Sequence, residues 1–580
     1  MEFLCDLDAG SRIADVGEMR VVRGALQVFL KTLAVATIAI SSVARAADVP
    51  YKPASSPSCM RNSDPYQNYQ CLDAYLGEDF FTRFLNYYLL EWGKDSAPPD
   101  PKAPTSSADW PKTPMTTPPL PFTEWPYGGS TSIGVTRPNS VDSPLMAALS
   151  NTDFGKSLYD AHIQIYGWLN GGGNISTNTV KPGGNWPAAY MYTPNTVQLD
   201  QAVLYVERLP DTVQKDHIDW GFRFSVLYGE NYRYTTSYGL ASYQLLGHNL
   251  NYGYDFPMAY GEVYFPAPLD GLLIRVGRFI SLPDIEAQLA PNNYTYSHSL
   301  TYGYDNYTNE GIQATLAATK NLFLQLGLTV GTEATIWHLN QTIPNPFPNQ
   351  LYPDPTMLKD PGAKPSITGC VRYQTDGGND DLYLCADAIN DGVWGYNNLQ
   401  WYGGTYYHKF DERWHIALES YYLFQNNVPN LNNPTAQNIV AHGGTPFSNP
   451  FSGIVFNAPN MAQCSDVNAL SCRAQAFAAL AYVNYRATSL DNISLRLEFY
   501  NDMEGQRTTV KTRYVDAALS WQHWLSPQIE FRPEIAYYKS LDALAFNGNF
   551  NANMAGASGP IISPSRDYAW IASMDVIWHF

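Results

Sequence analysis

A chain of 580 residues exceeds what one solid core fills, so it has either several domains or a hollow architecture. Aromatic residues make up 14% and charged residues only 15%, yet mean hydropathy is −0.27. That balance fits neither an ordinary soluble protein nor a bundle of apolar membrane helices. The formal charge of −18 argues against non-specific nucleic-acid binding and would mildly favour cations.

From the N-terminus, Met19 opens a stretch with basic Arg20 and Arg23, an apolar run from Leu33 to Ile40, and a small-x-small cleavage pattern at Ala44-Arg45-Ala46. Residues 1–46 read as a signal region whose true start is Met19. The chain is therefore expected to be exported, and no later stretch has the apolar length of a spanning helix. Residues 47–156 read as a Pro-rich periplasmic arm, because proline removes a donor and fixes φ. Within the arm, 77–93 (GEDFFTRFLNYYLLEWG) carries apolar residues at helical spacing and predicts one amphipathic helix. Beyond Cys5, six cysteines remain. An even number in an exported chain points to disulfides, with proximity favouring Cys59–Cys71, Cys370–Cys385 and Cys464–Cys472 among 15 connectivities.

Residues 157–580 change texture. In LDNISLRLEFYND, Leu495, Leu497 and Phe499 alternate with Ser494, Arg496, Glu498 and Tyr500. In HIDWGFRFSVLYGE, Ile218, Trp220, Phe222, Phe224 and Val226 alternate with Asp219, Gly221, Arg223 and Ser225. Strand side chains alternate faces with period two, so each segment has a greasy and a polar side. Such segments run on without a helical layer, Tyr and Trp cluster near their ends, and short turns alternate with long polar connections. Thr319–Asn321 and the Leu541 region read as short; 338–365 and 425–472 read as long. This predicts an all-β fold: a transmembrane antiparallel β-barrel of about 16 strands, the first beginning near residue 159 and the last near 567. A barrel of that size leaves an aqueous lumen. The stretch 281–308 is too long for a structureless connection and could fold inward as a constriction.

Two long motifs carry a family resemblance: 207–239 (ERLPDTVQKDHIDWGFRFSVLYGENYRYTTSYG) and 275–312 (RVGRFISLPDIEAQLAPNNYTYSHSLTYGYDNYTNEGI). With PPLPFTEWPYGG and IQIYGWLNGGGNIST (163–177), they resemble the OmpL-like outer-membrane β-barrel porins over roughly residues 118–580. The resemblance implies a bacterial outer-membrane location, and little about substrate.

Few residues suggest chemistry. There is no G-x-S-x-G elbow and no H-E-x-x-H, and the tightest polar cluster, Ser297-His298-Ser299, reads as a loop lining water. The acidic run Asp376–Asp381 lacks a calcium-loop pattern and reads as a solvated turn. No enzyme activity, cofactor or metal is expected. The candidate pore-lining residues are Arg223, Arg275, Arg496, Glu498, Glu530, Arg532 and Glu534, since an Arg or Lys facing mid-bilayer lipid costs ~2–4 kcal/mol. Their mixed signs would either orient passing solutes or pair to stabilise the wall. At the C-terminus, Trp570, Met574, Val576, Trp578 and Phe580 fall on one face and Ser573, Asp575 and His579 on the other. The last strand is expected to close the barrel, with Trp578 and Phe580 as the signal read by the barrel-assembly machinery. The function this predicts is an outer-membrane porin passing small hydrophilic solutes. The alternative is a plugged barrel acting as an envelope tether, surface scaffold or adhesin. Expected partners are outer-membrane lipid and the assembly machinery, with a homo-oligomer allowed and no nucleic acid.

Overall fold

In the computed structural model, residues 73–91, 131–134, 143–336, 364–442, 461–549 and 562–580 are described, apart from short breaks at 238–239, 247–249, 281–283, 377–378, 396–397, 412, 489 and 527. The expected signal region, Cys59 and Cys71 lie outside the described residues.

Seventeen strands form one sheet: β1 Gln164–Ser176, β2 Val197–Arg208, β3 Asp219–Gly229, β4 Gly253–Asp255, β5 Ala259–Phe265, β6 Leu272–Ile280, β7 Thr308–Ala317, β8 Leu322–Thr332, β9 Ser366–Gln374, β10 Asp380–Ile389, β11 Gln400–Lys409, β12 Trp414–Pro429, β13 Ser471–Arg486, β14 Asp491–Asp502, β15 Thr512–Ser526, β16 Ile529–Ser540 and β17 Tyr568–His579. β4 and β5 both pair with β3, at Leu227–Gly229 and Asp219–Phe224 respectively, so they share one place in the wall. The wall is therefore a sixteen-strand antiparallel meander. β17 pairs with β1 from Trp168/His579 to Ser176/Ile571, which closes the sheet. Closure leaves no unpaired edge, a condition for crossing lipid with strands. No described helix is long and apolar enough to cross a membrane.

Alternation decides the two faces. Along β8, Leu324, Leu326 and Leu328 are exposed while Phe323, Gly327 and Thr329 are buried. Along β17, Trp570, Met574 and Val576 are exposed while Ser573, Asp575 and His579 are buried. The apolar set forms a belt around the outside, where lipid replaces water, and the polar set points into the barrel.

The connections 209–218, 266–271, 318–321, 375–379, 410–413, 487–490 and 527–528 lie at the end where β1 begins and β17 finishes. Those at the opposite end are mostly longer, as porin barrels arrange periplasmic turns and outer loops. The Leu541 region corrects the sequence reading: it opens the connection 541–567 between β16 and β17, which is long. β16 runs into the turn through KSLD, which alone looks like a tight turn; the glycines and prolines that mark a long connection, from Gly548 to Pro564, come only further on.

The helical periodicity of 77–93 folds as α2 (Phe80–Glu91), preceded by α1 (Asp73–Leu76). Two further short helices, α3 (Pro144–Leu149) and α4 (Asp153–Asp160), lie where the sequence reading has irregular chain. They span too few turns to show a period, and their local signals are start signals: Ser143 Oγ accepts from Met146 N–H with Pro144 at the first helical position, and Thr152 Oγ1 accepts from Gly155 N–H. α4 also moves the first strand from near residue 159 to Gln164. Buried Arg83 of α2 donates to Ala147 O of α3 (3.0 Å) and to Gly77 O (2.9 Å), and Ser143 Oγ donates to Ile165 O of β1 (2.7 Å). Tyr88 Oη donates to His579 O (2.8 Å), and its ring lies 5.9 Å from that of Trp578. The helices therefore sit against the β1–β17 seam at the short-turn end.

Candidate functional site in the barrel lumen

The inner wall is a set of cross-strand ion pairs. Arg223 of β3 meets Glu207 of β2 at 2.6 Å, and Arg275 of β6 meets Glu262 of β5 at 3.1 Å. Arg278 of β6 meets Asp255 of β4 at 3.0 Å, and Arg372 of β9 meets Asp381 of β10 at 2.7 Å. Arg496 of β14 meets Asp516 of β15 at 2.7 Å, and Arg532 of β16 meets Asp575 of β17, with Nε to Oδ1 at 3.1 Å. All are buried, and all but Arg278 lie in step with the inward positions of their strands. Arg496 and Glu498 share a face, but Arg496 pairs with the neighbouring strand. The register puts Asp516 opposite Glu498, two residues along from Ala518, which faces Arg496. A guanidinium reaching diagonally finds that carboxylate.

The connection between β6 and β7 enters the barrel. Every residue from Asp284 to Asn309 is buried, and the wall holds the segment from several sides. Arg532 donates to Ala290 O (2.7 Å) and Asn293 O (3.0 Å), and Arg496 to Ser297 O (2.9 Å). Glu534 accepts from Ser297 N–H (3.0 Å) and Glu498 from Leu300 N–H (2.9 Å). Further round the wall, Glu419 of β12 accepts from Ile285 N–H (2.9 Å), Asp387 of β10 from Asn306 Nδ2 (3.1 Å), and Asp200 of β2 from Tyr296 Oη (3.1 Å). Irregular backbone is tolerated at membrane depth only where protein or lumen water satisfies it, and here the wall charges supply the partners.

Of the candidate pore-lining residues, Arg496, Glu498, Arg532 and Glu534 thus hold the inward segment. Glu530 accepts from Gln522 Nε2 of the neighbouring strand (2.7 Å). Arg223 and Arg275 form wall pairs beside Tyr260, which receives a hydrogen bond from Arg223 (3.0 Å). Sequence reasoning does not single out Glu207, Glu262, Asp255, Arg278, Asp516 or Glu419, and it reads Asp381 as part of a solvated turn rather than of the wall. Except for Arg278, which is out of step with Arg275, their signal is period-two placement within their strands, which identifies a face but not a partner.

Ser297 and His298 are not a nucleophile and its base. Ser297 Oγ bonds Glu534, while His298 Nε2 bonds Ala287 O (2.7 Å) and its ring stacks on Tyr190 at 3.6 Å. Both are buried rather than lining water. The acidic run at 376–381 divides among three partners: Asp376 with Lys320, Asp380 with His408 and Asp381 with Arg372. Cys370 and Cys385, direct neighbours across β9 and β10, are disulfide-bonded, as are Cys464 and Cys472.

A second piece of chain sits in the short-turn mouth. Thr212 Oγ1 donates to Ser132 O (2.8 Å), Arg372 to Ser132 Oγ (3.0 Å), and Thr131 Oγ1 to Glu262. Ile133 packs with Tyr264, Leu273, Ala317 and Phe323.

A closed sheet with an apolar outside, a charged inside and an inward-folded connection defines an outer-membrane β-barrel of the porin class. The chain belongs to the family described as "Putative beta-barrel porin-2, OmpL-like", which matches residues 162–560. Among solved structures, it is similar to an anion-selective porin from Comamonas acidovorans at 11% identity, covering 72% of this chain and 99% of that one, with a TM-score of 0.42. It is also similar to the outer membrane channel DcaP of Acinetobacter baumannii, at 9% identity, 72% and 97% coverage, and a TM-score of 0.39. Comparison with curated proteins gives no match.

Proposed function

We propose that this outer-membrane porin passes small hydrophilic solutes by passive diffusion, through a lumen narrowed by residues 284–308, and that it performs no catalysis. In this reading residues 1–46 direct export and residues 47–156 remain periplasmic. The observation that carries it is the polar inner wall, whose side chains and bound segment offer hydrogen-bonding surface to a hydrated solute and none to an apolar one. Size is set by the gap the inward segment leaves, and charge preference by the lumen groups that reach water. Six wall arginines are paired with acids, but Asp200, Asp284, Asp305, Asp387, Glu419, Glu498 and Glu534 are buried acids beyond those pairs, so fixed charge inside the barrel is negative in excess and selectivity should favour cations.

The full chain reconstituted in planar bilayers is expected to give small ohmic steps, with a reversal potential of cation-selective sign in a salt gradient. Protein that inserts in folded form yet never conducts would overturn this reading. It would favour the second one, a plugged barrel serving as scaffold or tether. Two observations support that second reading: the burial of 284–309 across the lumen, and Ser132 and Ile133 in the mouth.

A further inference from the structure

The arginine-paired acids of the wall set a standard that three other buried acids do not meet. Asp284 and Asp305, near the two ends of the inward segment, meet Glu419 of β12. One carboxylate oxygen from each lies within 4.8 Å of the others. They are only 4%, 2% and 3% exposed, and among the described residues no Lys, Arg or His forms an ion pair with any of them. Behind them stands Asp387, whose oxygens are taken by Asn306 and Asn309 (3.1 and 2.7 Å).

Charge crowding alone would not define a site. The second observation is that the donors run out. Glu419 Oε2 accepts from Ile285 N–H, but its Oε1 has no hydrogen-bond partner. Asp305 Oδ1 accepts from Asn306 N–H (2.5 Å); its carboxyl otherwise meets the Asp284 carboxyl, which as a carboxylate brings no donor, and Oδ2 has none. Two desolvated carboxylate oxygens on different elements, both in this cluster and both without a donor, are each costly to leave so. The elements bearing them are otherwise well fixed: Tyr421, two residues from Glu419, donates to Thr301 O (2.6 Å).

We propose that Asp284, Asp305 and Glu419 bind a hard divalent cation of the calcium type, which fastens both ends of the inward segment to β12. Carboxylate oxygens from three points of the chain are the donor set such a cation takes, with waters completing a flexible coordination shell. Magnesium, which demands a tighter and more regular octahedron, suits three converging side chains less well. Calcium on this pocket supplies the positive charge that arginine supplies elsewhere on the wall, so the segment's two ends are held together rather than driven apart.

The test needs no ion current, so it stands apart from the channel reading. Full-length protein refolded in detergent and stripped with chelator is titrated with calcium by calorimetry. The result expected is one saturable site per chain, weakened about tenfold or more by Glu419→Gln and by Asp305→Asn, as the count of charged ligands falls. Asp376→Asn, on the exposed turn beside Lys320, should leave binding unchanged. Should either pocket variant fail to fold, the wild type answers alone: its thermal midpoint should rise with calcium over chelator, because a ligand bound only by the native state stabilises it. No saturable binding at millimolar calcium, binding in Glu419→Gln equal to wild type, or a thermal midpoint indifferent to calcium would each overturn the proposal.

Discussion

Arg496 and Arg513 show how little the identity of an ion pair says about its worth. Both sit at 2.7 Å from an aspartate, Arg496 from Asp516 and Arg513 from Asp542. The first pair is fully buried; the second lies open at the long-connection end, with side chains 51% and 40% exposed. Removing Arg496 strands the Asp516 carboxylate in a place water scarcely reaches and frees Ser297 O and Tyr538 Oη. Arg496→Met should therefore lower unfolding stability by ~3–5 kcal/mol in a urea titration. Arg513→Met should leave the midpoint unchanged, because solvent and salt already screen that pair. The Arg513 guanidinium beside it, donating to its side chain, lowers the Asp542 carboxyl to about 2. Its folded value lies below the unfolded one, so any contribution is present at neutral pH and is lost only as pH falls through about 2. From sequence, the inward direction of Arg496 is legible through its alternation with Leu495 and Leu497. That Asp516 receives it is not, because the partner depends on register between strands, and period two is the same in every register.

At the scale of elements, the strands are the legible part and the seam is where legibility pays off least. Alternation marks β8, β14 and β16 without ambiguity. The same signal cannot show that Phe580 exchanges both backbone hydrogen bonds with Gly167 of β1, at 2.9 and 3.0 Å. Nor does it explain why residue 167 is glycine. A Cβ there would stand 2.1 Å from Val203 O and 2.7 Å from Cζ of Phe580, so the ring of the last residue lies over the gap that glycine leaves. Gly167→Ala must push apart backbone on one side or the terminal ring on the other, at a cost of ~1–3 kcal/mol typical of overpacking. The expected result is a smaller fraction of the compact, heat-modifiable form on electrophoresis of membrane fractions, with normal conductance from the molecules that do fold. We propose that Trp578 and Phe580 also serve assembly. Deleting Phe580 should then lower membrane insertion more than Gly167→Ala does, although both disturb the same pair of strands. The helices α3 and α4 escape sequence reading for a different reason: each depends on packing against β1 and α2 rather than on its own period.

For the whole molecule, the question is which obstruction sets the passage. A sixteen-strand barrel is wide enough for an aqueous channel, so whatever limits flow is what lies inside it. Among the described residues, two candidates are on the path: Thr131–Gly134 at the short-turn mouth and residues 284–308 within the lumen. The first is held by a few hydrogen bonds and one small apolar cluster around Ile133. The second is held by Arg496, Glu498, Arg532, Glu534, Asp200, Asp387 and Glu419, from strands on several sides. The sequence announces the second only by its excess length and the first not at all, since nothing in TSIG distinguishes it from the rest of a Pro-rich arm. Replacing 131–134 with glycine and serine should raise unit conductance modestly, because the inward segment still crosses the lumen. Excising 286–303 should raise it several-fold. The excision is geometrically mild: Asp284 and Asp305 already bring the two ends together, so a two- or three-residue glycine-serine linker spans what remains. Wall arginines and acids released by the excision would face water that fills the widened lumen, where their charges are hydrated rather than stranded, so the barrel should survive the loss. Unit conductance unchanged by the excision, in protein that runs as a folded barrel, would show that residues 284–308 do not define the constriction and would return the limiting role to the mouth.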